Sequence, residues 1–380
     1  MTLAAFLHAK GEAYSRIDTA RMARFWAEQG SLFAGLPKVI HLVGTNGKGS
    51  TGRLLALFLQ QRGIAAGHYS SPHLLKLNER FWLQGGDATD EALEQAHQEL
   101  LGALPPSWSE ALSYFEYATL LAAWLFQRAG CEAIVWEAGL GGEFDATAVF
   151  PAQLLLVTPI DSDHQAFLGN DIAAIAATKL RAMRCPVILA AQTHAEVYAV
   201  AESIAAERGF TLMRAETLAP DLKAFTLPGS PPYMAVNRQL AFAAARFLGL
   251  NPGVEAFAQN PLLGRLTKIA PNVWVDVGHN PAAAEALRQA FLPKQVTLVY
   301  NSYQDKDYAK ILKVLEPVVK EVQILAVEGA RVASRSALIA AIEAAGLPWR
   351  DFQGVDAKEH YLVFGSFSVV ETFLKAGYAR

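Results

Sequence analysis

Chemistry in this chain concentrates in Gly44-Thr-Asn-Gly-Lys-Gly-Ser-Thr51, where three glycines, one lysine and a pair of adjacent hydroxyls fall within eight residues. Gly44, Gly47 and Gly49 let the backbone turn tightly, so that its N–H groups can converge on an anion at a helix N-terminus. Lys48 adds a point charge for outer phosphates, and Ser50 or Thr51 offers a hydroxyl to Mg²⁺. The usual phosphate loop carries glycine where Leu42 stands, and Ser or Thr directly after the lysine, where Gly49 stands. The competing reading is a glycine-rich strand-to-helix turn with a solvated lysine.

Three further polar groups follow apolar runs. Ser71 comes after Ile64 to Tyr69, Glu137 closes Ala133-Ile-Val-Trp-Glu137, and His164 follows Leu154 to Ile160. A carboxylate and hydroxyls are the hard oxygen donors that magnesium prefers, and histidine is a less natural partner for it. On chemistry alone Glu137 could be an edge carboxylate, and His164 a hydrogen-bonded loop histidine.

The elements that must position these groups are short buried strands alternating with helices, the pattern of a mostly parallel sheet covered on both faces. In such sheets ligands bind beyond the carboxyl ends of the strands. The runs at 39–43, 64–69, 133–137, 154–160 and 186–190 read as strands. Helices are expected over most of 2–34, at 53–61, at 90–101, from Tyr114 to Arg128 and from Val236 to Leu248. After Pro261-Leu-Leu-Gly-Arg265 the alternation restarts, with strands at 273–277, 296–300, 322–327 and 361–364. The division expected is an α/β phosphate-loop domain over 1–262 and a smaller Rossmann-like α/β domain over 263–380. Pro228-Gly-Ser-Pro-Pro232 also reads as a linker.

A chain of 380 residues exceeds one ordinary core, in keeping with two domains. Hydrophobic residues make up 52% and charged ones 18%, which calls for well-covered sheets. No apolar run approaches the roughly 18 residues of a membrane span. Residues 1–16 lack the pattern of an export leader. Cys131 and Cys185 have no metal-like spacing and suit two buried thiols in a reducing cytoplasm. A net charge of −3 argues against a general nucleic-acid surface.

Taken together, the motifs resemble the folylpolyglutamate synthase and dihydrofolate synthase family, within the wider Mur-ligase-like group. The matching stretches are His41 to Thr51, Ser70-Ser-Pro-His-Leu74 with Asn78-Glu-Arg80, Tyr114-Phe-Glu116, Glu137-Ala-Gly-Leu-Gly-Gly142 and Asp145-Ala-Thr147. They continue through Asp163-His164, Leu168-Gly169, Gly264-Arg265, Asp276-Val-Gly-His-Asn-Pro281, Asp305-Lys-Asp307 and Gly365-Ser-Phe367. Each is weak alone; their order along nearly the whole chain is specific.

The resemblance implies ATP-dependent amide ligation. A pterin carboxylate is phosphorylated to an acyl phosphate, the amine of L-glutamate attacks, and ADP and phosphate leave. A carboxylate is a poor acyl donor because oxide is a poor leaving group, and phosphorylation supplies a better one. Such steps need positive charge and N–H donors rather than a covalent enzyme nucleophile.

By the same likeness the ATP phosphates sit on Thr45, Asn46, Gly47, Lys48 and Gly49, and Mg²⁺ is held by Ser50, Ser71, Glu137 and His164. Lys179 matches a family lysine that is often carbamylated, although its context, Ala-Thr-Lys-Leu-Arg, departs from the usual Glu-Lys-Ala-Gly. A surface lysine on a helix is the alternative there. Asn237, Arg265 and Asp276 match positions around adenine, ribose and phosphates, and Arg265 would add charge as domains close. His279 matches a second-domain step bordering the site. Ile17, Asp18 and Thr19 match the substrate loop, and Ser113, Phe115 and Glu116 match a second wall. Phe115 and Glu116 read equally as helix core and helix surface. Asp145 matches a partner for the pterin edge. Glu143 replaces a usual arginine and Ala148 a usual asparagine, which bears on the length of glutamate tail preferred.

The reading is therefore a cytoplasmic, monomeric ligase acting on ATP, dihydropteroate or a reduced folate, and L-glutamate, with no nucleic acid or membrane partner. Two alternatives stand beside it: another Mur-type amino-acid ligase, and a nucleotide-binding module without turnover. The absence of a uridine-binding domain before residue 44 counts against the first. The departures at Glu143, Ala148 and Lys179 keep the second in view.

Overall fold

The computed structural model describes residues 1–11, 18–162, 171–259 and 261–378. The chain falls into two compact units. One takes in Met1–Asp161, 171–221 and Asn237–Phe257; the other takes in Ser162, Leu222–Val236 and the described residues from 258 onward.

The first unit is built on an eight-stranded sheet. Its strands are β1 (Lys38–Val43), β2 (Ala66–Tyr69), β3 (Phe81–Leu83), β4 (Gly86–Asp87), β5 (Ala133–Glu137), β6 (Ala152–Val157), β7 (Val187–Leu189) and β8 (Leu212–Arg214). Their order across the sheet is β4-β3-β2-β5-β1-β6-β7-β8. All pairs are parallel except β2 with β3 and β3 with β4. Strands β2, β5 and β7 are buried along their whole length, and β1 at every residue but its first, because helices cover both faces. One face packs Tyr69, Tyr117, Phe126, Trp136 and Phe150 into an aromatic cluster; the other packs smaller residues such as Val43, Leu155, Ile175 and Val187.

Register brings the site's strand ends together. Leu42 of β1 lies opposite Glu137 of β5, Tyr69 of β2 opposite Trp136, and Val43 opposite Val157 of β6. The segments that follow β1, β2, β5 and β6 therefore leave the sheet at one edge.

The second unit carries a six-stranded sheet of β9 (Thr267–Ala270), β10 (Val273–Asp276), β11 (Val296–Tyr300), β12 (Val319–Ile324), β13 (Trp349–Asp351) and β14 (Tyr361–Phe364). Their order is β13-β12-β11-β14-β10-β9, with only β9 antiparallel to its neighbour. This is the second α/β unit that the restarted alternation predicts.

Strands β3, β4, β8, β9 and β13 go beyond the strands read from the sequence. Each is two to four residues long, and all lie at or beside a sheet edge. Partial burial leaves such segments without a full apolar run to betray them. No helix among the described residues is long and apolar enough to cross a membrane.

Candidate active site

The loop after β1 is shaped by close contacts that only glycine permits. Gly44 has φ 140°, and a Cβ there would fall 2.0 Å from Thr158 Oγ1. Gly47, at φ 92°, caps the helix Lys48–Gln61, and its Cβ would fall 2.2 Å from Asn237 Oδ1. Asn237 is buried, and its side chain lies against the phosphate loop at Gly47. Lys48, Gly49 and Ser50 form the first turn of that helix, whose N–H groups have no intrahelical partner and point at any anion bound there.

Thr45 and Asn46 use their backbone N–H groups within the protein. Both backbone N–H groups donate to Pro159 O, and Thr45 Oγ1 donates to Asp161 O while accepting from Asp161 N. Their backbone braces the loop against the segment after β6, so the anion-facing donors start later, at Gly47.

Two lysines crowd this loop. Lys48 Nζ donates to Gly44 O at 3.1 Å and Thr45 O at 3.3 Å, and stands 3.9 Å from Glu137 Oε1. Lys179 Nζ donates to the same Gly44 O at 3.1 Å. Lys179 is buried, at 4% exposure, which excludes the surface-lysine alternative. Its helix, Ile172–Leu180, runs tight against the Ala138–Gly142 turn, where a Cβ on Gly142 would meet Lys179 O at 2.5 Å.

Glu137 is buried, and its Oε2 accepts the Ser71 N–H at 3.2 Å. Ser50 Oγ is also buried and makes no hydrogen bond among the described residues. A buried hydroxyl is costly unless something meets its lone pairs. With Glu137 nearby through Lys48, this orphaned oxygen fits a hard divalent cation, which takes carboxylate and hydroxyl ligands. His164 and Ile17 lie outside the described residues. Among the described residues no three His, Cys, Asp or Glu side chains gather around one point.

The expected acid-substrate wall is more committed to structure than the residue types suggest. Ser113 and Glu116 form a capping box on the helix Tyr114–Arg128: Ser113 Oγ accepts from Glu116 N, and Glu116 Oε2 accepts from Ser113 N at 2.7 Å. Glu116 Oε2 also pairs with Arg21 at 2.7 Å, so Glu116 is buried rather than a helix-surface group. Phe115 is half-buried, its ring edge against Gly139, where a Cβ would meet Phe115 Cζ at 2.5 Å. Asp145 is buried and satisfied on both oxygens, by Gly139 N and Leu140 N on one and by the Thr147 N–H and hydroxyl on the other. Burial pushes its carboxyl up, against the pull of those donors. Asp18 pairs with Arg24 at 2.7 Å and accepts from Ala20 N, while Thr19 is exposed. Glu143 lies 3.8 Å from Arg181, so a cation stands beside the position where the usual arginine is missing. Ala148 is buried. A cavity of about 440 Å³ is lined by Ala4, Leu7, His8, Gly11, Leu77 and Tyr114.

Asp276, Arg265 and His279 belong to the second unit. Asp276 is buried at the end of β10, accepting from Tyr233 OH at 2.9 Å, Leu266 N at 2.8 Å and Gly278 N at 2.7 Å. Burial raises its carboxyl, with Arg265 opposing. The Arg265 guanidinium lies 5.4 Å from the centre of the Phe367 ring. His279 Nδ1 is 3.1 Å from Val277 O.

No family model matches the chain. It is 33% identical over 380 residues to the dihydrofolate synthase/folylpolyglutamate synthase of Escherichia coli, with 90% of this chain and 87% of that protein covered. A crystal structure of Helicobacter pylori folylpolyglutamate synthetase superposes with TM-score 0.77 at 37% identity, covering 98% of this chain and 97% of that one. The bifunctional enzyme from Yersinia pestis, complexed with AMPPNP and Mn ion, gives TM-score 0.84 at 28% identity, covering 99% and 98%. With its phosphate loop, acidic strand tip and two α/β units in place, the chain belongs to the dihydrofolate synthase/folylpolyglutamate synthase family of ATP-dependent ligases.

Proposed function

We propose that this protein is an ADP-forming ligase that joins L-glutamate to the carboxylate of dihydropteroate, and that it also extends reduced folates. The observation that carries the reading is the corner where Lys48 Nζ stands 3.9 Å from Glu137 Oε1 and Glu137 Oε2 holds the Ser71 N–H. It sets a phosphate-seeking cation beside a carboxylate suited to a metal, at the tips of β1, β2 and β5.

The division of labour follows the chain. Residues 1–262 act as the ATP-binding ligase domain and 263–380 as the C-terminal Rossmann-like domain. Gly47, Lys48, Gly49 and Ser50 receive the β- and γ-phosphates through helix N–H groups and the Lys48 charge. Ser50, Ser71 and Glu137, with His164, hold Mg²⁺, which when bound draws charge from the transferring phosphoryl group. Lys179 supports the loop through Gly44 O. By the family likeness Asn237 in the first unit carries a nucleoside-side role, as do Arg265 and Asp276 in the second. Asp18, Thr19, Phe115, Asp145 and His279 border the acid and amino-acid substrates, and Ser113 and Glu116 hold Phe115 in place.

In the reaction a carboxylate oxygen attacks the γ-phosphorus and the bond to ADP breaks. The glutamate amine then attacks the acyl carbon, and phosphate leaves with that oxygen. Preorganised N–H groups and Lys48 meet the charge that develops at each stage. Two buried free thiols, Cys131 and Cys185, support a cytoplasmic setting, and the family likeness supports a monomer. The test is ADP release measured with dihydropteroate and then tetrahydrofolate as acceptor, each with and without glutamate. Turnover requiring acceptor and glutamate together is the result expected. Equal ADP release with either omitted rejects the reading.

A further inference from the structure

Arg80 is a guanidinium taken out of water, with no carboxylate among the described residues to answer its charge. It is 6% exposed, and among the described residues no Asp or Glu side chain pairs with it. Its Nε donates to His73 Nδ1 at 2.8 Å, which requires a lone pair on that ring nitrogen and so a neutral imidazole. Its guanidinium carbon lies 5.5 Å from the centre of the Tyr114 ring. The neighbouring acid, Glu79, is spent elsewhere: its two oxygens accept from Leu74 N, Leu75 N and Lys76 N. Other cations of this unit do find partners, as Arg21 does in Glu116. A buried charge without a counter-ion is strongly unfavourable, so an anionic group that reached it would be strongly favoured.

The position of Arg80 says which anion. The Ser70 N–H donates to Arg80 O at 3.1 Å, tying this residue to the loop whose next member, Ser71, binds Glu137. On its other side Tyr114 opens the helix that carries Phe115, and Tyr114 and Leu77 line the apolar cavity. Arg80 thus stands between the phosphate-and-metal corner and the aromatic wall. An acid whose ring rests on that wall and whose carboxylate must reach the γ-phosphate would pass its carboxylate here. With Nε given to His73, the two terminal nitrogens present a side-by-side pair of donors that matches a carboxylate's two oxygens.

We propose that Arg80 binds the carboxylate of the acid to be activated, offsetting its charge as it approaches the triphosphate. This rests on the ligase reading above. Calorimetric titration of the full-length protein and its Arg80→Gln and Arg80→Lys variants, with dihydropteroate and with its carboxamide, tests it; ATP is titrated separately. The full-length protein should prefer the acid by about 10- to 100-fold, the range for a charge-assisted pair. Arg80→Gln should bind both compounds as the parent binds the carboxamide, with ATP affinity unchanged. Arg80→Lys should retain part of the preference. A parent without any preference, which needs no variant to fold, overturns the proposal, and so does Arg80→Gln with the parent's preference or with equal loss toward both compounds. ADP formation by the parent is measured alongside, so that failure of the ligase reading shows separately.

Discussion

Lys48 Nζ and Glu137 Oε1 lie 3.9 Å apart, although 89 residues separate them in the chain. The parallel pairing of β1 with β5 makes this contact, since Leu42 and Glu137 are register partners. An ion pair this loose, next to an orphaned Ser50 hydroxyl, suits a site whose charges are to be shared with a nucleotide and a cation.

Replacement of Lys48 by alanine should lower the ligation rate by roughly 100- to 1,000-fold, the cost of removing one preorganised donor to a transferring group. Its Nζ bonds the Gly44 and Thr45 carbonyls of its own loop and also stands 3.9 Å from buried Glu137. The melting temperature should therefore fall as that carboxylate loses its counter-charge, while a cooperative unfolding transition remains. Phosphate release and a melting curve on the same preparation check both halves. Retained turnover would contradict the phosphate-loop assignment.

Glu137→Gln keeps an acceptor for the Ser71 N–H but removes the charge. The Mg²⁺ concentration that half-activates the enzyme should rise by about tenfold or more, while folding measured without Mg²⁺ stays within roughly 1 kcal/mol of the parent. An unchanged magnesium requirement would remove Glu137 from the metal set.

Gly47→Ala should cost about 1–2 kcal/mol of stability through the left-handed backbone. Its larger effect falls on nucleotide binding, because the new Cβ would collide with Asn237 Oδ1. ATP affinity measured by calorimetry should fall at least tenfold; wild-type affinity would mean that Asn237 and the loop separate freely.

Acid stability follows from His41, fully buried in β1 with Nε2 on Thr147 Oγ1 at 2.7 Å. Burial, with Arg184 adding to it, lowers its pKa to about 4. Between that value and the ordinary 6.5 the unfolded chain binds a proton that the native state refuses. Stability from this group is therefore full above pH 6.5 and is lost as pH falls toward 4, by roughly 3 kcal/mol at most. Burial pushes His68 in the same direction, with Arg53 adding to it. Denaturant titrations across this range should show stability rising with pH, with a shallower slope in His41→Gln; a flat profile in the parent would contradict the assignment.

Much of this arrangement was legible in the sequence because buried parallel strands announce themselves. The runs that end at Val43, Glu137 and Val157 are mostly apolar, whereas Ala66–Tyr69 carries Gly67 and His68 and shows itself more by its place between a helix and a polar loop. Lys179 was not legible in the same way, since its contact with Gly44 O spans 135 residues and no local pattern marks it. Ser113 and Glu116 did carry a signal, the Ser-x-x-Glu spacing of a capping box, yet their side chains serve the helix start. Arg80 shows the converse: the Asn78-Glu-Arg80 stretch marked its neighbourhood, but its burial, which sequence does not display, is what points to a charge in need of an anion.

The central claim is that one site brings a triphosphate and a carboxylate together so that an oxygen passes from the acid to phosphate. Dihydropteroate labelled with ¹⁸O in its carboxyl group, incubated with ATP, Mg²⁺ and L-glutamate, tests it by mass spectrometry of the released phosphate. One ¹⁸O atom in each phosphate formed is the predicted result. Product amide accompanied by phosphate with no label from the acid would contradict it.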